Sequence, residues 1–115
     1  MNERTKRRIA LNETVFREIN EQIEGLNRNF LTAGSDEDMP ILCECGEMAC
    51  ADGLVVSVAD YERIRANPLL FFVIPGHEIP AVEDVVERTK AYLVVRKRPE
   101  GVGGQIAAEN DPRSR

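Results

Sequence analysis

Three cysteines crowded into eight residues constrain this chain more than any other feature of its sequence. They are Cys43, Cys45 and Cys50, spaced C-x-C-x4-C, and the single histidine, His77, follows a Pro75-Gly76 turn pattern. Clustered thiols completed by one imidazole are typical of a four-ligand zinc site. The sequence therefore predicts a Zn²⁺ site formed by Cys43, Cys45, Cys50 and His77.

The residues around the thiols favour metal binding over reactive free cysteines. A reactive thiol needs a nearby cation or a helix N-terminus to stabilise its thiolate. The cysteine loop instead supplies Glu44, Glu47 and Asp52 and contains no Lys or Arg. Coordination by a divalent metal deprotonates thiols outright, and Gly46 gives the loop the backbone freedom to bend around an ion.

The predicted domain organisation has four parts. Residues 1–31 form an N-terminal helical arm, residues 32–40 an acidic linker, residues 41–98 a zinc-binding α+β core, and residues 99–115 a disordered tail. The linker is assigned from its turn-forming composition, and the tail from its Gly, Pro and Ser content without an apolar pattern. Because so short a core buries limited apolar surface, we expect a bound metal to stabilise it.

Within the core, apolar runs separated by turn patterns predict a small, mostly antiparallel sheet with two short helices. The strands are predicted at residues 41–42, 54–58, 69–74 and 92–95, and the helices at residues 58–66 and 81–90. Ser57 and Asp60 form a capping pattern for the first helix, and Pro80 suits the start of the second. With the N-terminal helix, these elements predict an α+β fold.

Apolar residues recur at helical spacing through the N-terminal segment and predict an amphipathic helix. The apolar stripe consists of Ile9, Phe16, Ile19, Ile23, Leu26 and Phe30, and the opposite face carries Arg17, Glu18, Glu21, Glu24 and Arg28. So narrow a stripe suits pairing with a second helix, from a protein partner or from another copy of the chain. The alternative is that the helix docks on its own domain.

Charge and hydropathy argue against two classes of partner. The formal net charge of the 115 residues is −5 at pH 7, so bulk attraction to nucleic acid or to an anionic membrane is not expected. No apolar run approaches the roughly 20 residues of a membrane span. The N-terminus lacks the apolar region of a secretory signal. We therefore expect a cytoplasmic protein.

Several segments, taken in order, resemble a family of small, uncharacterised, mainly actinobacterial proteins. They are Leu42-Cys-Glu-Cys-Gly, Cys50, Tyr61-Glu-Arg-Ile-Arg-Ala-Asn-Pro and Val73-Ile-Pro-Gly-His-Glu78, preceded by the helical segment 12–24. The resemblance covers residues 7–95 and implies that Cys43, Cys45, Cys50 and His77 belong to one motif. It implies no activity.

Three functions are consistent with such a site. The first is a non-catalytic zinc-binding module that mediates a protein–protein interaction, with a regulatory role in transcription or stress. One alternative is a zinc or thiol redox sensor. The other is a small metal-dependent hydrolase, which would need an open coordination position and a general base such as Glu44, Glu47 or Glu78. Spacing selects none of these carboxylates, so no catalytic residue is predicted.

Overall fold

The computed structural model describes residues 1–27 and 37–114. Its elements are α1 (Glu3–Asn27), β1 (Asp38–Leu42), β2 (Gly53–Ser57), α2 (Val58–Arg65), β3 (Leu70–Val73), β4 (Glu83–Arg88), β5 (Leu93–Lys97), α3 (Val102–Glu109) and a 3-10 turn (Pro112–Ser114). This mixture of helices with antiparallel strands confirms the predicted α+β fold class. In the described residues, no helix has both the length and the apolar character needed to cross a membrane.

The strands form two antiparallel sheets. β1 pairs with β2, and the second sheet has the order β3-β5-β4, which makes β5 the central strand. Phe72 of β3 lies opposite Val94 of β5. Leu93, Val94 and Val95 are all buried, since this strand has neighbours along both edges and packed side chains on both faces.

The core is divided into two clusters of buried side chains. One joins β1, β2, α2 and the second sheet, and the Phe72 ring at its centre lies 5.7 Å from the Tyr61 ring and 5.3 Å from the Tyr92 ring. The other consists of Cys43, Cys45, Cys50, Phe71, Val73, Leu93, Val95 and Ala107. The three cysteine side chains are therefore part of the packed interior.

Helix α2 matches its prediction, but the second short helix lies elsewhere. Ser57 caps α2, with its Oγ accepting a hydrogen bond from the Asp60 N–H at 3.1 Å. The helix predicted for residues 81–90 is wrong, because residues 83–88 form strand β4 against β5. Val85 and Val86 are β-branched and fit a pleated strand, and pairing with β5 supplies the backbone hydrogen bonds that a helix would otherwise make.

The C-terminal segment also differs from its prediction. Residues 99–115, predicted to be a disordered tail, contain α3 and the 3-10 turn, and Ile106 and Ala107 of α3 are buried. The glycines that suggested flexibility instead permit close packing. A Cβ on Gly104 would collide with the carbonyl oxygen of Arg98, so only glycine allows α3 to approach the end of β5 so closely.

Helix α1 lies against α3 and β1, so the structure differs from the predicted separate arm. Its buried residues are Ala10, Glu13, Phe16, Arg17, Asn20 and Glu24. Arg17 and Glu24, which the sequence places on the polar face opposite the apolar stripe, are buried, and Phe16 of the stripe is inside the protein as well. Within the predicted linker, β1 already begins at Asp38, while residues 32–36 and Phe30 lie outside the described residues.

Candidate metal centre

The four predicted ligands lie together in the folded chain. The ligand atoms of Cys43, Cys45, Cys50 and His77 are all within 4.8 Å of one another. His77 Nδ1 is 3.5 Å from Cys43 Sγ and 3.6 Å from Cys50 Sγ. Around a tetrahedral ion with Zn–S distances of about 2.3 Å and Zn–N distances of about 2.0 Å, sulfur and nitrogen ligands stand about 3.5 Å apart. The observed separations therefore fit a metal ion held by these four atoms.

The thiols are more deeply placed than the imidazole. All three cysteines are buried, whereas His77 is half-buried. Burial raises the pKa of the Cys43 thiol and that of the Cys45 thiol, because a thiolate loses its hydration there. Burial therefore favours the neutral thiol at Cys43 and Cys45 when no cation is near, and a bound metal would reverse this by coordinating the thiolate form.

Cys43 is positioned where the chain leaves β1. Its backbone N–H donates to the Asp52 carbonyl oxygen at 2.9 Å, which continues the antiparallel pairing of β1 past Leu42. The Ile74 N–H donates to Cys43 Sγ at 3.3 Å. That second hydrogen bond favours the thiolate and opposes the effect of burial on the pKa of Cys43.

Gly46 shapes the loop after Cys45 and brings it against α1. Its φ of +82° lies in the left-handed region, which glycine adopts without steric cost. A Cβ at this position would stand 2.8 Å from Ile9 Cγ2 and 2.9 Å from Glu13 Cγ. The Asn12 side-chain amide donates to the Gly46 carbonyl oxygen at 3.0 Å. The glycine therefore serves both the turn and the packing of the loop on the helix.

A tight turn presents His77 to the thiols. The His77 N–H donates to the Ile74 carbonyl oxygen at 2.9 Å, which closes a four-residue turn over Pro75 and Gly76. Gly76 has a φ of +97°. Proline followed by a residue with positive φ is the pattern of a type II turn. The turn predicted from Pro75-Gly76 is thus present, and it places the imidazole beside Cys43 and Cys50.

Glu44, which lies between two of the candidate ligands, is fully buried and fixed at both carboxylate oxygens. Its Oε2 accepts a hydrogen bond from Asn20 Nδ2 at 2.8 Å. Its Oε1 accepts from the Phe72 N–H at 2.9 Å and pairs with Arg65 Nη2 at 3.3 Å. The sequence marks none of these contacts, because the three partners are 21 to 28 residues away along the chain.

The other candidate bases, Glu47 and Glu78, and the nearby carboxylate of Asp52 are placed differently. Glu47 is exposed, and its Oε1 accepts a hydrogen bond from the Ala49 N–H. Glu78 Oε1 accepts from the Gly76 N–H at 2.7 Å, and backbone N–H groups lower the pKa of Glu78. Asp52 Oδ2 lies 3.9 Å from Cys50 Sγ. Each of these carboxylates therefore already has a protein contact.

A second buried group of charges lies behind the cysteine loop. Lys97 Nζ is 2.8 Å from Glu13 Oε1 and 2.7 Å from Glu83 Oε1, and all three side chains are inaccessible to solvent. Burial, the largest influence, raises the pKa of Glu13 to about 8, although Lys97 opposes the shift. Glu13 and Glu83 therefore flank the same amino group, that of Lys97, inside the protein.

Comparison of this chain with protein-family models, with curated proteins and with solved structures finds no match. The functional argument consequently depends on the geometry of the candidate site.

Proposed function

We propose that this protein is a non-catalytic zinc-binding module in which the ion stabilises the fold and a surface of α1 engages a protein partner. The observation that supports it is the Cys43, Cys45, Cys50 and His77 cluster, with its sulfur–nitrogen separations of 3.5 and 3.6 Å. Thiolate and imidazole ligands select zinc over hard cations such as magnesium or calcium. Four protein ligands close the coordination sphere, as in structural zinc sites.

Metal analysis of the full chain, purified without added zinc, tests the first part of the proposal. We expect one zinc per chain, with Cys43→Ser losing most of it. Met48→Ser is the matched control, because Met48 lies in the same loop and is exposed. A wild-type protein that neither carries zinc nor takes it up under reducing conditions would contradict the proposal.

Cobalt substitution separates the module from the hydrolase alternative. Four protein ligands predict a tetrahedral thiolate spectrum with no exchangeable water on the ion. A bound water that exchanges with solvent would instead favour the hydrolase. For the sensor alternative the decisive observation is zinc release by peroxide at physiological concentration, since a purely structural site retains its ion.

The partner surface needs revision from the sequence-based prediction, because Phe16 is buried. Leu11 and Val15 of α1 are exposed, and Leu26 is 68% exposed. Together with the half-buried Ile19 and Ile23, they form an apolar stripe along the side of α1 turned away from its polar, buried face. Exposed apolar stripes of this kind are typical of helix-pairing surfaces. We propose this stripe as the site of a protein partner or of self-association.

Charged substitutions within the stripe test the partner surface without removing α1. The double variant Val15→Glu, Leu26→Glu should abolish concentration-dependent self-association, or lose crosslinks to a partner in cell extract that the wild type forms. Met48→Glu is the control, since it charges an exposed apolar residue outside α1. If the double variant keeps every association of the wild type, the stripe is not the interaction surface.

A further inference from the structure

We propose that metal binding and the docking of α1 are one linked equilibrium, in which Asn20 and Glu44 are the positioning residues that transmit metal occupancy to the helix. This inference depends on the proposed metal site and adds a regulatory property to it. When the metal leaves, the middle of α1 separates from the cysteine loop. When the metal binds, the loop geometry returns and α1 docks again.

Asn20 joins α1 to the residues on both sides of Cys43, through the backbone of Leu42 and the side chain of Glu44. Its Oδ1 accepts a hydrogen bond from the Leu42 N–H at 2.8 Å. Its Nδ2 donates to the Leu42 carbonyl oxygen and to Glu44 Oε2, each at 2.8 Å. Asn20 is fully buried. One side chain of α1 thus fixes both chain neighbours of a metal ligand.

A second connection flanks Cys45. Glu44 precedes this ligand and is held by Asn20, while Gly46 follows it and packs directly against Ile9 and Glu13. The Asn12 side chain donates to the Gly46 carbonyl oxygen. Both cysteines of the C-x-C pair are therefore bracketed by residues that contact α1.

These connections respond sharply to displacement of the loop. Residues 43–52 form neither helix nor strand. Backbone hydrogen bonds hold Cys43, Glu44 and Cys50, and a bound ion would add the restraint that joins the three cysteine side chains to one another. Hydrogen bonds weaken steeply as distance and angle depart from their optimum. A loop that shifts without its ion would leave the Asn20 amide and the Glu44 carboxylate buried with poor partners, which is costly.

The polar composition of the docked face lowers the free-energy cost of releasing α1. Glu13, Arg17 and Asn20 are buried in the docked state, and their polar groups regain hydration when the helix moves into solvent. A face built from leucines would keep the helix attached through contacts that tolerate small shifts. Polar docking therefore makes the helix position depend on the geometry of the loop, and hence on the metal.

Hydrogen exchange on the full-length, zinc-loaded protein tests the linkage directly. We compare the protein before and after zinc removal with EDTA under reducing conditions, which prevent disulfide formation. Amides of α1 between residues 13 and 24 should exchange on the order of tenfold faster after removal, in line with typical coupling between sites. Amides of β5 report the loss of global stability that zinc removal causes, and the acceleration in α1 should exceed theirs. Equal protection of α1 in both states would overturn the inference.

Because the coupling between metal binding and helix docking is reciprocal, a substitution that weakens the contact of α1 with the cysteine loop must also weaken zinc binding. Asn20→Ala should lower zinc affinity on the order of tenfold in competition with a chromogenic chelator. Asn27→Ala is the matched control, since it makes the same change on the same helix. The Asn27 amide lies 3.9 Å from Sδ of Met39, which belongs to β1. If Asn20→Ala does not fold, Asn12→Ala at the half-buried Gly46 contact takes its place. Unchanged affinity in the folded variant would overturn the inference.

The two proposals fail in different ways. A wild-type protein that binds no zinc overturns both of them. A protein that binds zinc through four protein ligands, yet keeps α1 protected after its removal, overturns only the linkage.

Discussion

Glu13 lies inside the protein between Gly46 of the cysteine loop and Lys97 of β5. Burial raises the pKa of this carboxyl from 4.5 to about 8. The unfolded chain therefore releases the Glu13 proton at lower pH than the folded chain does. The stabilising contribution of the protonated group is complete below about pH 4.5 and is lost as the pH rises through about 8.

We predict that the free energy of unfolding of the wild type falls between pH 6 and pH 9, and that the Glu13→Gln variant does not show this fall. The wild-type free energy of unfolding should fall by a few kcal/mol over this range, because ionised Glu13 lacks hydration, whereas the neutral amide has no charge to lose. Urea denaturation with zinc in excess at both pH values is the measurement. Glu109→Gln, at an exposed site of α3, should keep the wild-type slope. Equal slopes in Glu13→Gln and wild type would show that Glu13 does not titrate in this range.

Gly46 and Gly76 form a matched pair for a second prediction. Both have positive φ and both adjoin a ligand segment, but only Gly46 lacks space for a Cβ. Gly76→Ala should cost about 1–2 kcal/mol from backbone conformation alone. Gly46→Ala should cost about 2 kcal/mol more, because Ile9 and Glu13 would have to move. Chemical denaturation measures both losses, and equal losses would argue against close packing of the loop on α1.

The clustering of the four candidate ligands was predictable from the sequence because its determinants are local. Cys43, Cys45 and Cys50 lie within one loop, and Pro75-Gly76 specifies the turn before the only histidine. The roles of Glu44 and Asn20 were not predictable in the same way. Their partners are distant in sequence, so only the folded chain shows that these polar side chains are buried and paired.

Among the elements, α1 shows most clearly where periodicity fails. Its spacing predicts a helix correctly, yet the buried face is centred on Glu13, Arg17 and Asn20 instead of on the apolar stripe. The core offers polar groups that need partners, such as the Leu42 backbone and the Lys97 ammonium, and buried polar groups are almost always paired. Hydropathy alone cannot identify the buried face of α1, since that face depends on which polar groups the neighbouring elements place against the helix.

Arg17 provides a prediction about how α1 is attached. Its Nη1 donates to the Pro68 carbonyl oxygen and its Nη2 to the Ala107 carbonyl oxygen, both at 2.7 Å, and the guanidinium lies 4.8 Å from the centre of the Phe71 ring. Arg17→Ala leaves these buried carbonyls without partners and opens a void, so we expect a loss of about 3 kcal/mol or more.

The control for this variant is Arg63→Ala. Arg63 pairs with Glu87 and Asp60 on the surface, and removal of an exposed ion pair typically costs about 1 kcal/mol or less. Urea denaturation of the two variants under the same zinc concentration gives the comparison. Similar losses for Arg17→Ala and Arg63→Ala would mean that the contacts of Arg17 do not hold α1 to β3 and α3.

Strand β4 and helix α3 were missed for a different reason. Their sequences are locally ambiguous, because Val85 and Val86 suit a strand while their surroundings suit a helix, and Gly103 and Gly104 suggest a flexible tail. In the folded chain, β4 pairs with the second edge of β5, and α3 packs against α1. These contacts decide which of the two structures each segment adopts. Tertiary contacts of this kind override local propensity.

At the scale of the whole molecule, two sheets and three helices meet around a loop with little regular structure in the described part of the chain. The buried interior contains Glu13, Arg17, Glu44, Arg65, Glu83 and Lys97. Buried charges contribute less to stability than apolar side chains of equal size. An ion that binds only the native state would add its binding free energy to the stability of such a fold.

That dependence gives the last prediction. An ion that binds the folded chain alone stabilises it by RT ln(1 + [Zn²⁺]/Kd), so each tenfold rise in free zinc above Kd adds about 1.4 kcal/mol. For a domain of this size, the melting temperature should rise by about 5 °C per tenfold increase. Calorimetry in zinc buffers measures the slope, with Ca²⁺ as the metal control and Cys50→Ser as the ligand control. A melting temperature independent of free zinc would mean that the cysteine cluster holds the loop through packing and thiol–imidazole hydrogen bonding alone.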